Sequence, residues 1–284
     1  QSLAYSAIQP ALNYHECPDL GILPYRRVMG TTIALGNPLC APEDRTRFLQ
    51  HFLQHHPRTL FGQVDGATTD TLRDLGLYLT PIGVDAFIDI PTFAMNGKTK
   101  RDLRHYQNRC NAAGLTMREV QDTPAERFEL HQLSKIWMRT KKISTRELSF
   151  LVRPLSPRPE HDTRLFIAQQ GSQTQGFVLF DPIYEHGTIT GYTASILRAL
   201  PDTPEGSLDT IILHAIEKFK QENIHTLSLG VMPMHHMKKI AQQHGPGARP
   251  LYHLCRALYA SPWHPISNLK GLSFHKSRYR PQQI

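Results

Sequence analysis

The run of alternating segments between Arg164 and Val231 constrains the fold of this chain most strongly. Apolar stretches bounded by turn-forming residues predict strands, and apolar residues at helical spacing predict a helix. The predicted elements are strands at Arg164–Gln170, Gly176–Asp181, Thr188–Arg198 and Thr226–Val231, and a helix at Ser207–Glu222. Three antiparallel strands followed by a helix and a further strand require a sheet covered by a helix, so we predict a mixed α/β (α+β) fold.

The remainder of the chain shows a weaker alternation of strands and helices. Before residue 95 we predict a short helix within residues 1–20, a hairpin of Pro24–Met29 and Thr31–Leu35, a helix opened by Pro42, strands at Leu60–Val64 and Ile82–Ile90, and a helix at Thr69–Gly76. After residue 116 we predict a strand at Met117–Val120, a helix at Pro124–Arg139 and a long loop at Thr140–Arg158. The 284 residues suffice for two domains of ordinary size.

A basic amphipathic helix is predicted over Asn96–Gly114, closed by a glycine suited to the left-handed position after a helix. Its apolar stripe consists of Leu103, Tyr106, Cys110 and Ala113, and its cations are Lys98, Lys100, Arg101, Arg104, His105 and Arg109. One interpretation is a solvated charged face, and the other is a surface for phosphates. The net charge of +8 favours anionic partners such as nucleic acid, an anionic membrane or a phosphorylated ligand.

The cysteines and the missing motifs narrow the class of protein. Cys17, Cys40, Cys110 and Cys255 form no C-x-x-C pair, so we interpret them as reduced thiols of a cytosolic protein, with neither a disulfide framework nor a zinc site. Adjacent histidines such as His235 and His236 do not share a helix face, so we predict no metal site. Nucleotide-binding loops, serine-hydrolase elbows and zinc-protease motifs are missing, and we predict no cofactor. No apolar run approaches the eighteen residues of a membrane-spanning helix.

Three stretches carry candidate binding residues. Arg198 and Gly206 flank a loop that opens a helix, where free N–H groups and the helix dipole attract anions, although an ordinary strand–helix connection remains the alternative. Gly230 interrupts an apolar strand that is expected beside this loop. Lys276, Arg278 and Arg280 alternate near the C-terminus, so in a strand they would share one face, whereas the alternative is a disordered basic tail.

The order of the elements from Arg164 to Val231 resembles the core of GNAT-type acyltransferases. Six short motifs, in the right order, also resemble the C-terminal catalytic domain of bacterial phosphatidylglycerol lysyl- and alanyltransferases, the multiple-peptide-resistance-factor or DUF2156 family. They are Ile33–Pro38 (family ALGDP), Ile82–Ile90 (IGEEA-x-IDL), Phe93–Arg109 (G-K…LR…NR), Ile196–Gly206 (DLMR…APxG), Leu229–Met234 (LGMAPL) and Lys276–Pro281 (K-x-KF-x-P).

This resemblance implies tandem GNAT-like domains, residues 1–95 and 117–284, joined by the basic helix at 96–116. It implies transfer of an amino acid from aminoacyl-tRNA to the hydroxyl of a lipid such as phosphatidylglycerol, without a metal or cofactor, by a cytoplasmic protein at the inner face of the membrane. The residues that it assigns are Arg198, Asp85 and Ser195 for catalysis, Lys276, Arg278, Gly206 and Gly230 for substrate binding, and Lys98, Lys100, Arg101, Arg104 and Arg109 for tRNA phosphates.

Departures from the family pattern leave two other functions open. Ser195 stands where the family has an acid, Asn37 replaces the aspartate of its GDP motif, and Val84 replaces a glutamate beside the retained carboxylate of Asp85. A GNAT enzyme that uses acyl-CoA is one alternative, although the stretch from Arg198 to Gly206 lacks the second glycine expected for it. A non-catalytic module that binds nucleic acid or membranes is the other.

Overall fold

The computed structural model describes residues 4–9, 12–81, 83–140, 153–233, 253, 257 and 269–283. The chain divides into two units. Of the described residues, unit 1 includes those up to 81 together with 253 and 257, and unit 2 includes 83–233 and 269–283. None of the helices in these ranges combines the length and the apolar character needed to cross a membrane.

Unit 1 contains a five-stranded sheet in the order β1-β2-β3-β5, with β4 paired to β2. Its elements are β1 (Asn13–Cys17), β2 (Gly21–Val28), β3 (Thr31–Leu35), β4 (Leu39–Cys40), α1 (Arg45–His55), β5 (Thr59–Gly62) and α2 (Gly66–Asp74). The β2–β3 hairpin turns at Met29 and Gly30, both at positive φ, as a tight two-residue turn requires. Phe48 and Phe52 of α1 pack on Leu23 and Ala34 of the sheet.

Unit 2 contains a seven-stranded sheet in the order β12-β6-β11-β10-β9-β8-β7. Its strands are β6 (Gly83–Asp89), β7 (Thr116–Val120), β8 (Arg164–Gln170), β9 (Gln173–Glu185), β10 (Thr188–Ala199), β11 (Thr226–Pro233) and β12 (Gln282–Gln283). Its helices are α3 (Arg101–Ala112), α4 (Pro124–Arg139), α5 (Ser207–Gln221) and α6 (Leu269–Ser277). Within the described residues of unit 2, β10 and β11 form the one parallel pair, and α5 makes the crossover between them.

Helices cover unit 2 on two sides. The cores of α3 and α5 belong to one apolar cluster with Phe166 and Phe180 of the sheet. Helix α4 packs through Leu130 and Leu133 on a separate cluster that includes Ile196 of β10. Because a register shift falls between Ala194 and Ile196, β10 contributes Ala194 to the α5 side and Ile196 to the α4 side.

Strands β10 and β11 separate at their carboxyl ends. Their parallel pairing ends at Thr193 and Ser228, yet β10 continues to Ala199 and β11 to Pro233. A register shift between Ser228 and Val231, with Gly230 at a φ of 75°, turns β11 at this point while it stays paired to β6. We call the gap between residues 194–199 of β10 and 229–233 of β11 the strand opening. Ligands commonly bind outside the carboxyl ends of parallel strands.

The mixed α/β class and most predicted elements are confirmed, and the helix Pro124–Arg139 has its predicted bounds. The helix predicted within residues 1–20 is wrong beyond a 3₁₀ turn at Ala4–Ile8, because Asn13–Cys17 pairs with β2 as a strand. The C-terminal strand is also wrong: the structure has α6 at Leu269–Ser277, since spacing among cations alone does not fix the backbone. Residues 141–152 of the predicted loop lie outside the described residues.

The basic helix has a 3₁₀ turn at Lys98–Lys100 before α3, and it ends at Gly114 with a φ of 73°. It lies within unit 2, packed on α5, and the unit boundary precedes β6 instead of falling at residue 95. The pairing of β6 with β11 explains this earlier boundary. Two tandem GNAT-like domains with a linking helix stay a prediction.

Candidate active site

Three of the predicted site residues come together beside the turned part of β11. Asp85 lies on β6, where its Oδ1 accepts a 2.8 Å hydrogen bond from Ser228 Oγ. Ser228 Oγ in turn accepts a 2.9 Å hydrogen bond from the backbone N–H of Gly230, which stabilises the turned part of β11. Lys276, at the end of α6, donates from Nζ to the Val231 carbonyl over 2.9 Å.

Lys276 lies where a side chain at residue 230 would contact it. A Cβ on Gly230 would lie 3.4 Å from Lys276 Nζ, and the positive φ further favours glycine. Burial lowers the pKa of Lys276 from 10.5 to about 8, while the Asp85 carboxylate opposes this shift. Lys276 is therefore a poorly solvated cation whose charge is maintained by one nearby carboxylate.

Arg278 lies at the start of α5, between two aromatic rings. Its guanidinium carbon is 5.0 Å from the centre of the Tyr106 ring and 5.2 Å from that of Phe274. Its Nη1 is 4.0 Å from Asp209 Oδ2, in the first turn of α5. Its buried Nε has no hydrogen-bond partner among the described residues. Arg278 is thus fixed by stacking and retains a donor that none of the described residues satisfies.

Gly206 is the N-cap residue of α5, with a φ of 88°. A Cβ on it would lie 2.3 Å from both Cβ and Cγ of Tyr106, so a tyrosine ring occupies the space above this glycine. Substrate binding at Gly206 stays a prediction. Tyr106 also donates to Glu205 over 3.3 Å, and Arg109 pairs with the same carboxylate at 3.2 Å.

A buried polar group at the α5 start was not predicted from the sequence. Tyr279 is fully buried and donates from its hydroxyl to Asp209 Oδ1 over 2.8 Å. Burial, with Asp209 adding to the effect, raises the pKa of Tyr279 well above 10. His275 Nε2 lies 3.0 Å from the same carboxylate oxygen. The sequence signal was present only as an acid in the first turn of a helix, which is usually an exposed dipole partner.

Lys100 was expected on the exposed side of the basic helix, and this expectation was wrong. It is buried, donates from Nζ to the backbone carbonyl of Tyr279 and lies 4.3 Å from the centre of the Phe93 ring. Burial, with a smaller contribution from Arg280, lowers its pKa to about 8. The aliphatic stem and the amine thus hold the C-terminal segment onto the start of α3.

The other four cations that were assigned to tRNA phosphates divide into two groups. Arg104 is half-buried and donates to the carbonyls of Met95 and Gly97, which closes the segment before α3. Lys98, Arg101 and Arg109 are exposed, the last with the Glu205 pairing. These three present the positive charge of the helix to solvent.

Ser195 and Arg198 border the strand opening along the backbone of β10, but their side chains have other neighbours. Ser195 Oγ donates to the Leu179 carbonyl over 3.0 Å. Arg198 is 3 % exposed, and its guanidinium carbon lies 5.1 Å from the centre of the Trp137 ring of α4. The register shift in β10 explains why Arg198 contacts α4, a feature that strand periodicity alone does not reveal.

A buried carboxylate adjoins Ser195 from the neighbouring strand. Asp181 of β9 is 2 % exposed and forms a two-point ion pair with Arg153, at 3.1 and 2.5 Å. Burial raises the pKa of Asp181, and Arg153 and Ser195 oppose the shift. An acid is therefore present beside residue 195 although residue 195 itself is a serine.

Comparison with known proteins places this fold in a family. The family model "Phosphatidylglycerol lysyltransferase, C-terminal" matches residues 1–284. The phosphatidylglycerol lysyltransferase of Bacillus subtilis is 24 % identical over 230 residues, covering 78 % of this chain and 26 % of that protein. The chain therefore spans about a quarter of the length of this curated relative.

Two solved structures share the fold. The L-PGS structure from Bacillus licheniformis superposes with a TM-score of 0.78 at 17 % identity, covering 100 % of this chain and 85 % of that one. The C-terminal domain (DUF2156) of a putative lysylphosphatidylglycerol synthetase from Agrobacterium fabrum has a TM-score of 0.76 at 20 % identity, with 96 % and 82 % covered. The chain belongs to the family of phosphatidylglycerol lysyltransferase C-terminal domains.

Proposed function

We propose that this chain is an acyltransferase that moves an amino acid from aminoacyl-tRNA to a hydroxyl of phosphatidylglycerol. The observation that carries the proposal is Lys276, a half-buried ammonium beside the turned part of β11. A curated relative of this chain is named as a phosphatidylglycerol lysyltransferase. The donor tRNA and the position at the membrane surface are parts of the proposal.

The proposed reaction is attack by a lipid hydroxyl on the carbonyl of an aminoacyl ester. Such a reaction needs two substrates held in line and donors that stabilise the oxyanion, so the protein requires no nucleophile of its own. An ammonium has three N–H donors, and Val231 accepts one from Lys276 within the described residues. The other two can bind a lipid phosphate or the developing oxyanion.

Arg278 supplies the second cation of the proposed site. Stacking between Tyr106 and Phe274 fixes its plane, and a fixed guanidinium can bind a phosphate through two parallel hydrogen bonds. Gly206 and Gly230 have no side chain, which leaves room for Tyr106 at the first and for Lys276 at the second. We therefore assign phosphate binding to Lys276 and Arg278 together.

The remaining predicted catalytic residues act indirectly in this proposal. Asp85 helps Lys276 to keep its proton, and its hydrogen bond to Ser228 fixes the turn of β11. Ser195 and Arg198 form the β10 wall of the strand opening, with Asp181 and Trp137 behind them. The exposed Lys98, Arg101 and Arg109 attract the tRNA by charge.

The test is a reaction of the purified chain with pooled aminoacyl-tRNAs and phosphatidylglycerol vesicles, with the lipids analysed by mass spectrometry. We expect an aminoacylated phosphatidylglycerol that disappears when the tRNA is digested beforehand. Product formed only with acyl-CoA would instead identify a GNAT enzyme of the thioester-dependent kind. Binding of tRNA or vesicles without any product from any aminoacyl-tRNA would contradict the proposal and favour a binding module.

A further inference from the structure

Unit 1 contains a cluster of four histidines between β1 and α1. His15 comes from β1, His51 and His55 are one turn apart on α1, and His56 follows that helix. The ring centres of His15 and His51 are 5.1 Å apart, those of His51 and His55 are 4.4 Å apart, and those of His15 and His55 are 5.5 Å apart. None of these residues belongs to the site proposed above.

Three of these rings bring nitrogen atoms close together. One ring nitrogen from each of His15, His51 and His55 lies within 4.8 Å of the others. The closest pair is His15 Nε2 and His51 Nδ1, which are 3.0 Å apart. Histidines at positions i and i+4 of a helix share a face and commonly chelate one metal ion. A third histidine from a neighbouring strand completes a three-nitrogen set.

A backbone group orients one of the rings from behind. His55 Nδ1 lies 2.8 Å from the His51 carbonyl, so its N–H donates there and leaves Nε2 with a lone pair. His15 is held from behind by His56, whose Nε2 lies 3.3 Å from His15 Nδ1. Such outer hydrogen bonds are typical of histidines that ligate metals.

We infer that His15, His51 and His55 form a binding site for a divalent first-row transition metal, with zinc as the natural occupant. Nitrogen ligands without a carboxylate disfavour calcium and magnesium, which take oxygen ligands. Three protein nitrogens leave the fourth tetrahedral position for water. His55 is exposed, so this position is open to solvent.

The ligands also define what the metal does for the fold. His15 belongs to β1 at the edge of the sheet, whereas the other two ligands belong to α1, which packs on that sheet. A bound ion therefore joins an edge strand to the helix that covers it. Because the ion binds the folded unit only, it stabilises unit 1 against unfolding.

The sequence did not reveal this site. The cysteines form no C-x-x-C pair and His235 and His236 are adjacent, so the sequence predicted no metal site. The i, i+4 pair was present in α1, but the third ligand precedes it by 36 residues and becomes a neighbour only when β1 meets α1. That meeting depends on the strand Asn13–Cys17, where the sequence had predicted a helix.

The test uses the untagged full chain, freed of metal, titrated with Zn²⁺ by calorimetry and with Co²⁺ by visible absorption. We expect one ion per chain, the intense Co²⁺ bands of a tetrahedral site, their loss on addition of Zn²⁺, and a higher Tm with Zn²⁺. His55→Ala and His15→Gln should each weaken binding more than about tenfold, since changes even behind the ligands cost that much. His55 is exposed, so its variant should fold normally.

His161→Ala is the matched control, because His161 is 87 % exposed and lies in unit 2. It should bind both ions like the unchanged chain. Equal affinity in the control and in the His55→Ala and His15→Gln variants would overturn the inference, as would an unaltered chain that binds no Co²⁺ or only octahedral Co²⁺.

Discussion

Tyr106 fills the space that any side chain at Gly206 would need. A Cβ at residue 206 would lie 2.3 Å from the Cβ and Cγ of this tyrosine. Tyr106 is also the ring on which Arg278 stacks, at 5.0 Å. One glycine thus permits the packing of α3 on the start of α5 and, through Tyr106, the placement of a proposed phosphate-binding arginine.

Replacement of Gly206 should therefore lower the free energy of unfolding of unit 2. For Gly206→Ala we expect a loss of about 1 kcal/mol from the positive φ and a further loss of about 1–3 kcal/mol from overlap with Tyr106. Urea denaturation followed by circular dichroism measures the total. Gly114→Ala is the control, because its φ is 73° but nothing lies within 4 Å of a Cβ there. Equal losses in the two variants would show that the Tyr106 contact has no energetic importance.

Tyr279→Phe should destabilise the chain by about 1–2 kcal/mol, since it removes the hydroxyl that donates to Asp209 in a fully buried position. The same denaturation experiment measures it. Tyr184→Phe removes a comparable hydrogen bond to Asp162 from a tyrosine that is 41 % exposed, and it should cost less. A smaller loss for Tyr279→Phe than for Tyr184→Phe would contradict this account.

The burial of Lys276 should make the free energy of unfolding of the chain depend on pH. The pKa of Lys276 is about 8 in the folded chain and 10.5 when the side chain is fully solvated, as in the unfolded chain. Between these two pH values the unfolded chain therefore holds a proton that the folded chain has released. Stability then rises with pH across that window, by the linkage between proton uptake and unfolding. The penalty of burying the ammonium is fully present below pH 8.

The measurement compares the unchanged chain with Lys276→Met at several pH values. The free energy of unfolding of Lys276→Met, relative to the unchanged chain, should fall between pH 8 and 10.5, because only the unchanged chain gains stability there. Lys218→Met, a replacement at an exposed position of α5, should show no such trend. A flat difference for Lys276→Met would mean that Lys276 is not desolvated.

Binding of tRNA should depend on salt through the exposed cations of the basic helix. Each phosphate contact contributes about −0.7 to −0.9 to the slope of log affinity against log salt concentration. Replacement of Lys98, Arg101 and Arg109 by glutamine should therefore reduce the slope by about 2–3. Filter binding at several salt concentrations measures it. Arg104→Gln is not a surface change, since Arg104 bonds two carbonyls, and Lys218→Gln serves as control. An unchanged slope in the triple variant would place the tRNA elsewhere.

The sequence predicted what depends on local pattern. Helices and strands with clear apolar periodicity, such as Pro124–Arg139 and Arg164–Gln170, have their predicted bounds. It also identified Asp85, Gly230 and Lys276, which the structure brings together. Asp85 precedes Gly230 by 145 positions and Lys276 by more. The order of the family motifs was nevertheless sufficient to group the three residues.

What the sequence could not predict depends on tertiary neighbours. Lys100 belongs to a run of cations and is nevertheless buried, because its ammonium donates to the Tyr279 carbonyl and lies over the Phe93 ring. Arg198 contacts Trp137 because a register shift in β10 reverses the faces of the strand. Asp209 resembles an ordinary helix-start acid and instead anchors Tyr279. In each case the deciding partner is remote in sequence.

The most direct test of the proposed function measures the aminoacylated phosphatidylglycerol formed from aminoacyl-tRNA by the unchanged chain, by Lys276→Ala and by Lys218→Ala. Loss of one donor at a developing oxyanion costs about 100-fold or more, so we expect that loss in Lys276→Ala and full activity in the exposed-site control. Circular dichroism confirms that both variants fold. Equal product from Lys276→Ala and the unchanged chain would contradict the central claim that Lys276 is the working cation of the site.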